Sequence, residues 1–317
     1  MSEADFNYLR QLLRLRSDLS LGDDKAYLVE SRLGILCRQR NIETLATLVN
    51  RLRYDRDTGL ETAVVEAMTT NETLFFRDRT PFDLFRDVLL PEKLAANAAT
   101  RRLRIWCAAV STGQEAYSLA MILDEFAPRL AGWRVDLVGT DISQDVLDRA
   151  RSGLFTQFEV QRGLPIQMLL KYFTQDGDKW RISSRLRDKL ELRQHNLLEP
   201  TPQLGQFDIV FCRNVLIYFD LQTKLQALSN LAQRLAPNGG LVLGSAETVI
   251  GLDSDVVPDP VQRGLYRAKR QIRPAVDAQP MPRALPAVTG AAPARSVITP
   301  THRPAAPSAP YARPLQR

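Results

Sequence analysis

Two histidines and three cysteines are all that this sequence of 317 residues offers for metal or thiol chemistry. Cys37, Cys107 and Cys212 are widely spaced, and no Cys/His cluster forms around them. A zinc site or a disulfide framework is therefore not expected, and no metal of any kind. Two of the three cysteines lie in apolar runs of strand length, so buried free thiols in a reducing compartment are expected. Long hydrophobic runs are lacking too. Nothing approaches 18 consecutive apolar residues, and the opening MSEADFNYLRQLL has no apolar signal core. These absences point to a cytoplasmic protein that is not inserted in a membrane. Internal repeats are absent as well.

A near-zero net charge in the body hides behind the formal total of +6. Residues 271–317 hold six arginines, no lysine and a single acid, Asp277, so the tail carries +5 and the first 270 residues only +1. A near-neutral body argues against nucleic acid as a partner. The same tail contains ten of the chain's 19 prolines, mixed with alanine, and shows no periodicity. It is expected to be disordered.

What is present is most informative at 103–123, LRIWCAAVSTGQEAYSLAMIL. A strand-length apolar run breaks at Ser111-Thr112-Gly113 and resumes with helical spacing through Ala116, Leu119, Ala120 and Leu123. Strand, small-residue turn and helix open a nucleotide-binding α/β sheet, with backbone N–H groups facing the ligand at the helix start. The next strand, VDLVGTD, ends at Asp141, where a carboxylate can accept from both hydroxyls of a ribose. Gly113 is the only glycine in the turn, whereas a dinucleotide pyrophosphate needs several for close backbone approach. NAD and FAD fit poorly; an adenosine ligand without phosphates, such as S-adenosylmethionine, demands less.

From there strands are expected at 103–108, 135–140, 189–193, 207–212 and 240–244, and helices at 114–126, 143–151, 165–173 and 221–235. Alternation of this kind makes a mostly parallel sheet covered on both faces. Asn238-Gly239-Gly240 reads as a turn before the fifth strand, and Asp176-Gly177 as the tip of a small β-ribbon inserted at about 155–188. Residues 1–70 read as helices only. The first carries Phe6, Tyr8, Leu9, Leu12 and Leu13; the second follows Asp23-Asp24 and carries Leu28, Ile35 and Leu36. A third spans 42–52, and the fourth holds Leu60, Val64, Val65 and Met68. Lys25 and Arg32, seven apart on one helical face with Arg38 nearby, form either a solvated face or a dock for an acidic helix. Asn71 and Thr73 are candidate caps for a following helix.

Ligands of such sheets bind at the carboxyl ends of the strands. That rule selects Ser111 to Glu115, Asp141, Asn196 and Cys212-Arg213-Asn214. The fourth-strand segment, FDIVFCRNVLIYF, has neither the Asn/Asp-Pro-Pro-Tyr of amine methyltransferases nor the Pro-Cys of cytosine-C5 enzymes.

With TTNETLFFRD, AAVSTGQEAYS, GTDIS, HNLLE and FCRNVLIYFD in this order, and KAYLVESRL in the helical part, the chain resembles the CheR family of chemotaxis receptor glutamate O-methyltransferases. The resemblance runs from about residue 5 to 268. It implies a Rossmann-like class I methyltransferase sheet at 71–270 with the inserted β-ribbon, an all-α receptor-docking domain at 1–70, and a separate tail at 271–317. It implies S-adenosylmethionine as methyl donor, S-adenosylhomocysteine as product, and glutamates on the cytoplasmic helical domain of chemoreceptors as acceptors, by a monomer transiently at the receptor array. By the same resemblance Asn71, Thr73 and Arg77 close over the cofactor, and Arg77 stands beside the methyl acceptor. Glu115 is a cofactor contact, Asp141 the ribose carboxylate, and Asn196-Leu197 the adenine-side pair. Arg213 and Asn214 lie near the methionine moiety, Tyr218 lines the methyl-transfer site, and His195 is a structural neighbour of Asn196. Lys25, Arg32 and Arg38 become the receptor-docking face. Two departures stand out: GQEAYS replaces the commoner GEEPYS, and Gly244-Ser245-Ala246-Glu247 replaces a usual His-Ser-Glu. The short ribbon loop, 174–179, leaves little room for gripping a C-terminal tether peptide of the receptor. The alternatives are a methyltransferase of RNA or a small molecule, and a non-catalytic adaptor on the same fold.

Overall fold

The computed structural model describes residues 1–17, 21–22, 25–55, 57–68 and 71–269. The tail and the Asp23-Asp24 helix start lie outside the described residues. The chain opens with α1 (Glu3–Ser17), α2 (Ala26–Gln39), α3 (Leu45–Tyr54) and α4 (Thr58–Met68). Their apolar stripes close on one core that includes Leu9, Leu13, Val29, Leu33, Leu48, Val49 and Val64. One boundary and one face differ from expectation. Thr44 caps α3 by accepting from Thr47 N at 3.1 Å, so Ile42 is buried in the preceding turn. On α2 the inward residues are Val29, Leu33, Leu36 and Cys37, whereas Ile35 is exposed, because 29, 33, 36 and 37 share one face at helical spacing and 35 lies off it.

After the linker, α5 (Thr80–Leu84), a π-helical turn (Phe85–Leu89) and α6 (Leu90–Ala96) follow one another. Arg79 occupies the N-cap of α5, so neither Asn71 nor Thr73 caps a helix. Then come β1 (Arg102–Ala108), α7 (Gln114–Glu125), β2 (Arg134–Asp141) and α8 (Gln144–Ser152). The insertion comprises β3 (Leu154–Thr156), α9 (Gln157–Gln161), α10 (Ile166–Tyr172), β4 (Phe173–Asp176), β5 (Lys179–Ile182) and α11 (Ser184–Arg187). The chain ends its order with β6 (Leu190–Gln194), β7 (Phe207–Cys212), α12 (Leu221–Arg234), β8 (Leu235–Leu243), β9 (Val256–Pro258) and β10 (Leu265–Ala268).

The main sheet has the order β6-β2-β1-β7-β8-β10-β9, parallel from β6 to β8, with β10 antiparallel to both its neighbours. Strand β1 shows how it is sandwiched. Leu103, Ile105 and Cys107 face one core layer, and Trp106 and Ala108 face the other. The five expected parallel strands are present; β9 and β10, three and four residues long, carry too little pattern to be foreseen. Asn238-Gly239-Gly240 is a bulge inside β8, not a turn before it. Pairing jumps from Phe207↔Leu235 to Ile209↔Gly240, and Asn238 adopts a left-handed φ of 61°. The expected ribbon is a three-stranded sheet, β3-β5-β4, whose β4–β5 hairpin turns through Gly177-Asp178. All three cysteines are buried and free. Among the described residues no helix is long and apolar enough to cross a membrane.

Candidate active site

Strand β1 delivers its chain to a tight turn in which Ala109, Ser111 and Gly113 all have positive φ, at 74°, 51° and 97°. A Cβ on Gly113 would lie 2.9 Å from the Tyr117 ring and 3.1 Å from Ala150, so only glycine lets α7 start this close. The turn is tied to the end of β2: Ser111 N donates to Asp141 Oδ2 at 2.8 Å. Ser143 N donates to Asp141 Oδ1 at 3.1 Å, while the Ser143 side chain caps α8. Asp141 is therefore not the cap of that helix. Burial pushes its carboxyl above the usual carboxylate range, the N–H groups of Ser143, Ser111 and Ile142 pull it back, and the charge of Glu66 pushes it up again.

Glu115, in the first turn of α7, is buried and accepts from Arg213 Nη1 at 2.9 Å. Arg213 Nη2 donates to Asp78 Oδ2 at 2.7 Å and to Arg77 O at 2.9 Å. Its guanidinium also lies over the Phe82 ring, 5.6 Å from the centroid. The side chain is only 1% exposed, yet its Nε has no partner. Burial raises the Glu115 carboxyl above its ordinary range, an effect larger than the opposing pull of Arg213.

The linker 71–79 closes over these strand ends. Asn71 O accepts from Ser111 Oγ at 2.7 Å, and Phe76 N donates to Ser118 Oγ at 3.0 Å. Phe75 is fully buried against Phe155 and Phe173 of the insertion, with ring centroids 5.0 and 5.6 Å away. Arg162 pairs with Glu72 at 3.0 Å, and a Cβ on Gly163 would sit 2.1 Å from Phe75 O. The insertion thus braces the linker from behind, and Arg77 Nη1 donates to Glu72 O at 3.0 Å. On the far side, His195 N donates to Asp141 O at 2.9 Å and Asn196 Oδ1 accepts from Leu198 N at 3.1 Å. His195 Nε2 is buried without a partner, and burial lowers the pKa of the ring.

One cleft gathers Asn71, Thr73, Arg77, Glu115, Asp141, Asn196, Leu197, Arg213, Asn214 and Tyr218. Every residue expected to contact a cofactor or acceptor lines it. Sequence reasoning did not foresee Ser17, which adds the helical domain to the wall, or Asp78, the second partner of Arg213. No local pattern marks either one. Of the nine non-glycine residues with positive φ among the described residues, three line this cleft, Ala109, Ser111 and Asn214, and three more, Phe76, Asp78 and Arg79, lie in the linker that closes over it. Backbone held out of its comfortable wells clusters where a site over-determines it. The basic trio stands elsewhere and is not uniformly exposed. Arg32 Nη1 donates to Met68 O at 2.6 Å at the end of α4, Lys25 is half-buried, and Arg38 is exposed. Among the described residues no group of His, Cys, Asp and Glu is arranged to hold a metal.

Comparison with known proteins converges on one family. Residues 4–69 match the CheR methyltransferase all-alpha domain, and residues 71–259 match the CheR methyltransferase SAM-binding domain. The chain is 42% identical over 273 residues to chemotaxis protein methyltransferase 1 of Pseudomonas aeruginosa, covering 84% of this chain and 99% of that protein. It is 41% identical over 252 residues to chemotaxis protein methyltransferase Cher2 of Pseudomonas putida, covering 78% and 91%. Chemotaxis protein methyltransferase 1 of Vibrio cholerae is 39% identical over 255 residues, covering 80% and 92%.

Proposed function

Because the chain belongs to the CheR methyltransferase family, we propose that it transfers a methyl group from S-adenosylmethionine to glutamate side chains on the cytoplasmic helices of chemoreceptors. The products are glutamate methyl esters and S-adenosylhomocysteine. The observation that carries this reading is the cleft itself, where linker, strand ends and the 213–218 segment meet around a buried Asp141 and a buried Arg213.

The donor set suits such a cofactor. Asp141 keeps acceptor capacity for ribose hydroxyls beyond its bonds to backbone N–H groups, since each carboxylate oxygen has two lone pairs. Asn196 and Leu197 would flank the adenine. Arg213, whose buried Nε lacks a partner, would face the amino-acid end together with Asn214 and Glu115. Bound there, S-adenosylmethionine supplies an electrophilic methyl on a sulfonium. The rest of the work falls to orientation and desolvation. An acceptor glutamate, with an ordinary pKa near 4.3, is already a nucleophile at neutral pH, so no general base has to be built. Arg77 holds one carboxylate oxygen and Tyr218 shapes the opposite wall. The grip must stay modest, because strong pairing would quench the nucleophile. The test is transfer of labelled methyl to receptor fragments. Label released by mild alkali, as a methyl ester requires, supports the reading; absent or alkali-stable label sinks it.

Arg77→Ala should lower turnover roughly 10- to 100-fold, the worth of one hydrogen bond to a charged group, while changing S-adenosylhomocysteine affinity little. Parallel loss of both in calorimetry would make Arg77 a cofactor clamp instead.

Receptor recognition is proposed to rest on the helical domain, through the α2 face of Lys25, Arg32 and Arg38, and not on a C-terminal tether peptide. The hairpin turn is only Gly177-Asp178, and the Asp176 carboxylate beside it is taken by Arg181. Calorimetry with receptor C-terminal peptides should detect no binding, and methylation should weaken as salt shortens the screening length below about 8 Å. Micromolar peptide binding that is lost on mutating the turn would overturn this.

A further inference from the structure

Glu247 belongs to none of the roles above, yet its carboxylate is the most heavily bonded group beside the cleft. Oε1 accepts from Val215 N at 2.9 Å and Leu216 N at 2.7 Å. Oε2 accepts from Asn214 N at 2.8 Å and Gly244 N at 2.7 Å. The residue is 5% exposed. Three successive N–H groups converging on one anion make a backbone nest, which the left-handed φ of Asn214, 61°, allows. Such a concavity ordinarily takes a bound phosphate or another anion. Here the chain fills it with a carboxylate from the loop after β8, about 30 residues downstream.

The fit leaves no spare room. A Cβ on Gly244 would lie 2.7 Å from Glu247 Oε2, 3.1 Å from Asn214 N and 3.2 Å from Asn214 Nδ2. The segment held in this way carries Arg213 and Asn214 and leads directly into the turn Leu216–Tyr218. A buried carboxylate is costly unless fully hydrogen-bonded, and closing two loops of a sheet does not call for one. What these four bonds define is the path of the backbone that presents the side chains of the cleft.

We propose that Glu247, seated against Gly244, is a positioning residue that sets Arg213, Asn214 and Tyr218 for cofactor binding and methyl transfer. It acts through the 214–216 backbone and touches neither ligand. The proposal rests on the methyltransferase reading above.

Glu247→Gln keeps the size of the side chain but turns one acceptor oxygen into a donor that faces N–H groups. Measured well below its melting temperature, this variant should show turnover at least about tenfold lower and weaker S-adenosylhomocysteine binding by calorimetry. Amide hydrogen exchange at 214–216 should quicken while β1 and β2 stay protected. Glu247→Asp, which keeps the charge on a shorter arm, should recover part of the loss. Gly244→Ala, which presses on the same carboxylate, should reproduce the signature if Glu247→Gln fails to fold. Ser254→Ala removes a buried bond to Val256 O outside the cleft and serves as a matched destabilisation. It should lower the melting temperature with wild-type turnover and affinity.

Wild-type turnover and affinity in Glu247→Gln would overturn the proposal, as would losses equal to those of Ser254→Ala at the same drop in melting temperature. If the wild-type chain neither binds S-adenosylhomocysteine nor methylates receptor fragments, the methyltransferase reading itself has failed. Exchange rates at 214–216 report on the nest in either case, and unchanged rates in Glu247→Gln would also overturn the proposal.

Discussion

Replacing Arg213 with alanine is expected to destabilise the chain by about 3–5 kcal/mol and to weaken cofactor binding with it, since one partner of a buried ion pair is removed. Glu115 would be left buried and unpaired, and the Arg77–Asp78 backbone would lose the guanidinium that anchors it. The loss should depend on pH in a definite direction. Glu115 already has a raised pKa in the folded chain, and Arg213 supplies the largest pull downward. A carboxyl whose folded pKa exceeds its unfolded one contributes stability at low pH that is lost as pH rises through the folded value. Without Arg213 that folded value climbs further, so the variant's deficit should be larger at pH 8 than at pH 5. Urea unfolding at the two pH values checks it. An equal deficit at both would mean that Glu115 is not the group left stranded. Burial outweighs Arg213 at Glu115 even in the native chain, so the pair is a poor source of stability. Its evident yield is geometry: it holds α7, the linker and the end of β7 around one guanidinium.

Asp141→Ala should reduce S-adenosylhomocysteine affinity at least tenfold, corresponding to the loss of about 1.5–3 kcal/mol for hydrogen bonds to a charged group. The cost is not confined to a ligand contact. Ser111 N and Ser143 N would both lose their acceptor, which loosens the Ala109–Gly113 turn at the cleft wall. Cooperative folding should survive, because the residue lies at the end of a strand and outside the apolar layers. Asp141→Asn, which can satisfy only one of those two N–H groups, should fall between alanine and wild type. Unchanged calorimetric affinity in the alanine variant would remove Asp141 from the ribose contact.

Glu115, Asp141, Asn196, Arg213 and Asn214 were legible because each follows a strand, and the ends of parallel strands must share one edge of the sheet. Asn71, Thr73, Arg77, Leu197 and Tyr218 were reached only through the family resemblance of their motifs. Periodicity placed β1, β2, β6 and β7 within a residue or two. Where contacts are made by short or irregular segments, pattern had nothing to offer. Strand β10 exists because β8 presents an edge to it, and β9 because β10 does so in turn. Asn238-Gly239-Gly240 reads as a turn in isolation and becomes a bulge only when β7 supplies the register. The spacing of Lys25, Arg32 and Arg38 described a face, but it did not tell that Arg32 would reach across to cap α4.

The sequence by itself determined the alternation of strand and helix, the helical segment before it and the chemistry available at the strand ends, because these follow from local periodicity and residue type. Tertiary structure alone decided what braces that chemistry. Gly163 against Phe75 O, Asp78 on Arg213, and Glu247 in the 214–216 nest each join groups that lie far apart along the chain, about 30 to 135 residues. No local propensity encodes such a meeting. It comes about only when the sheet has closed and buried polar groups have to find their partners.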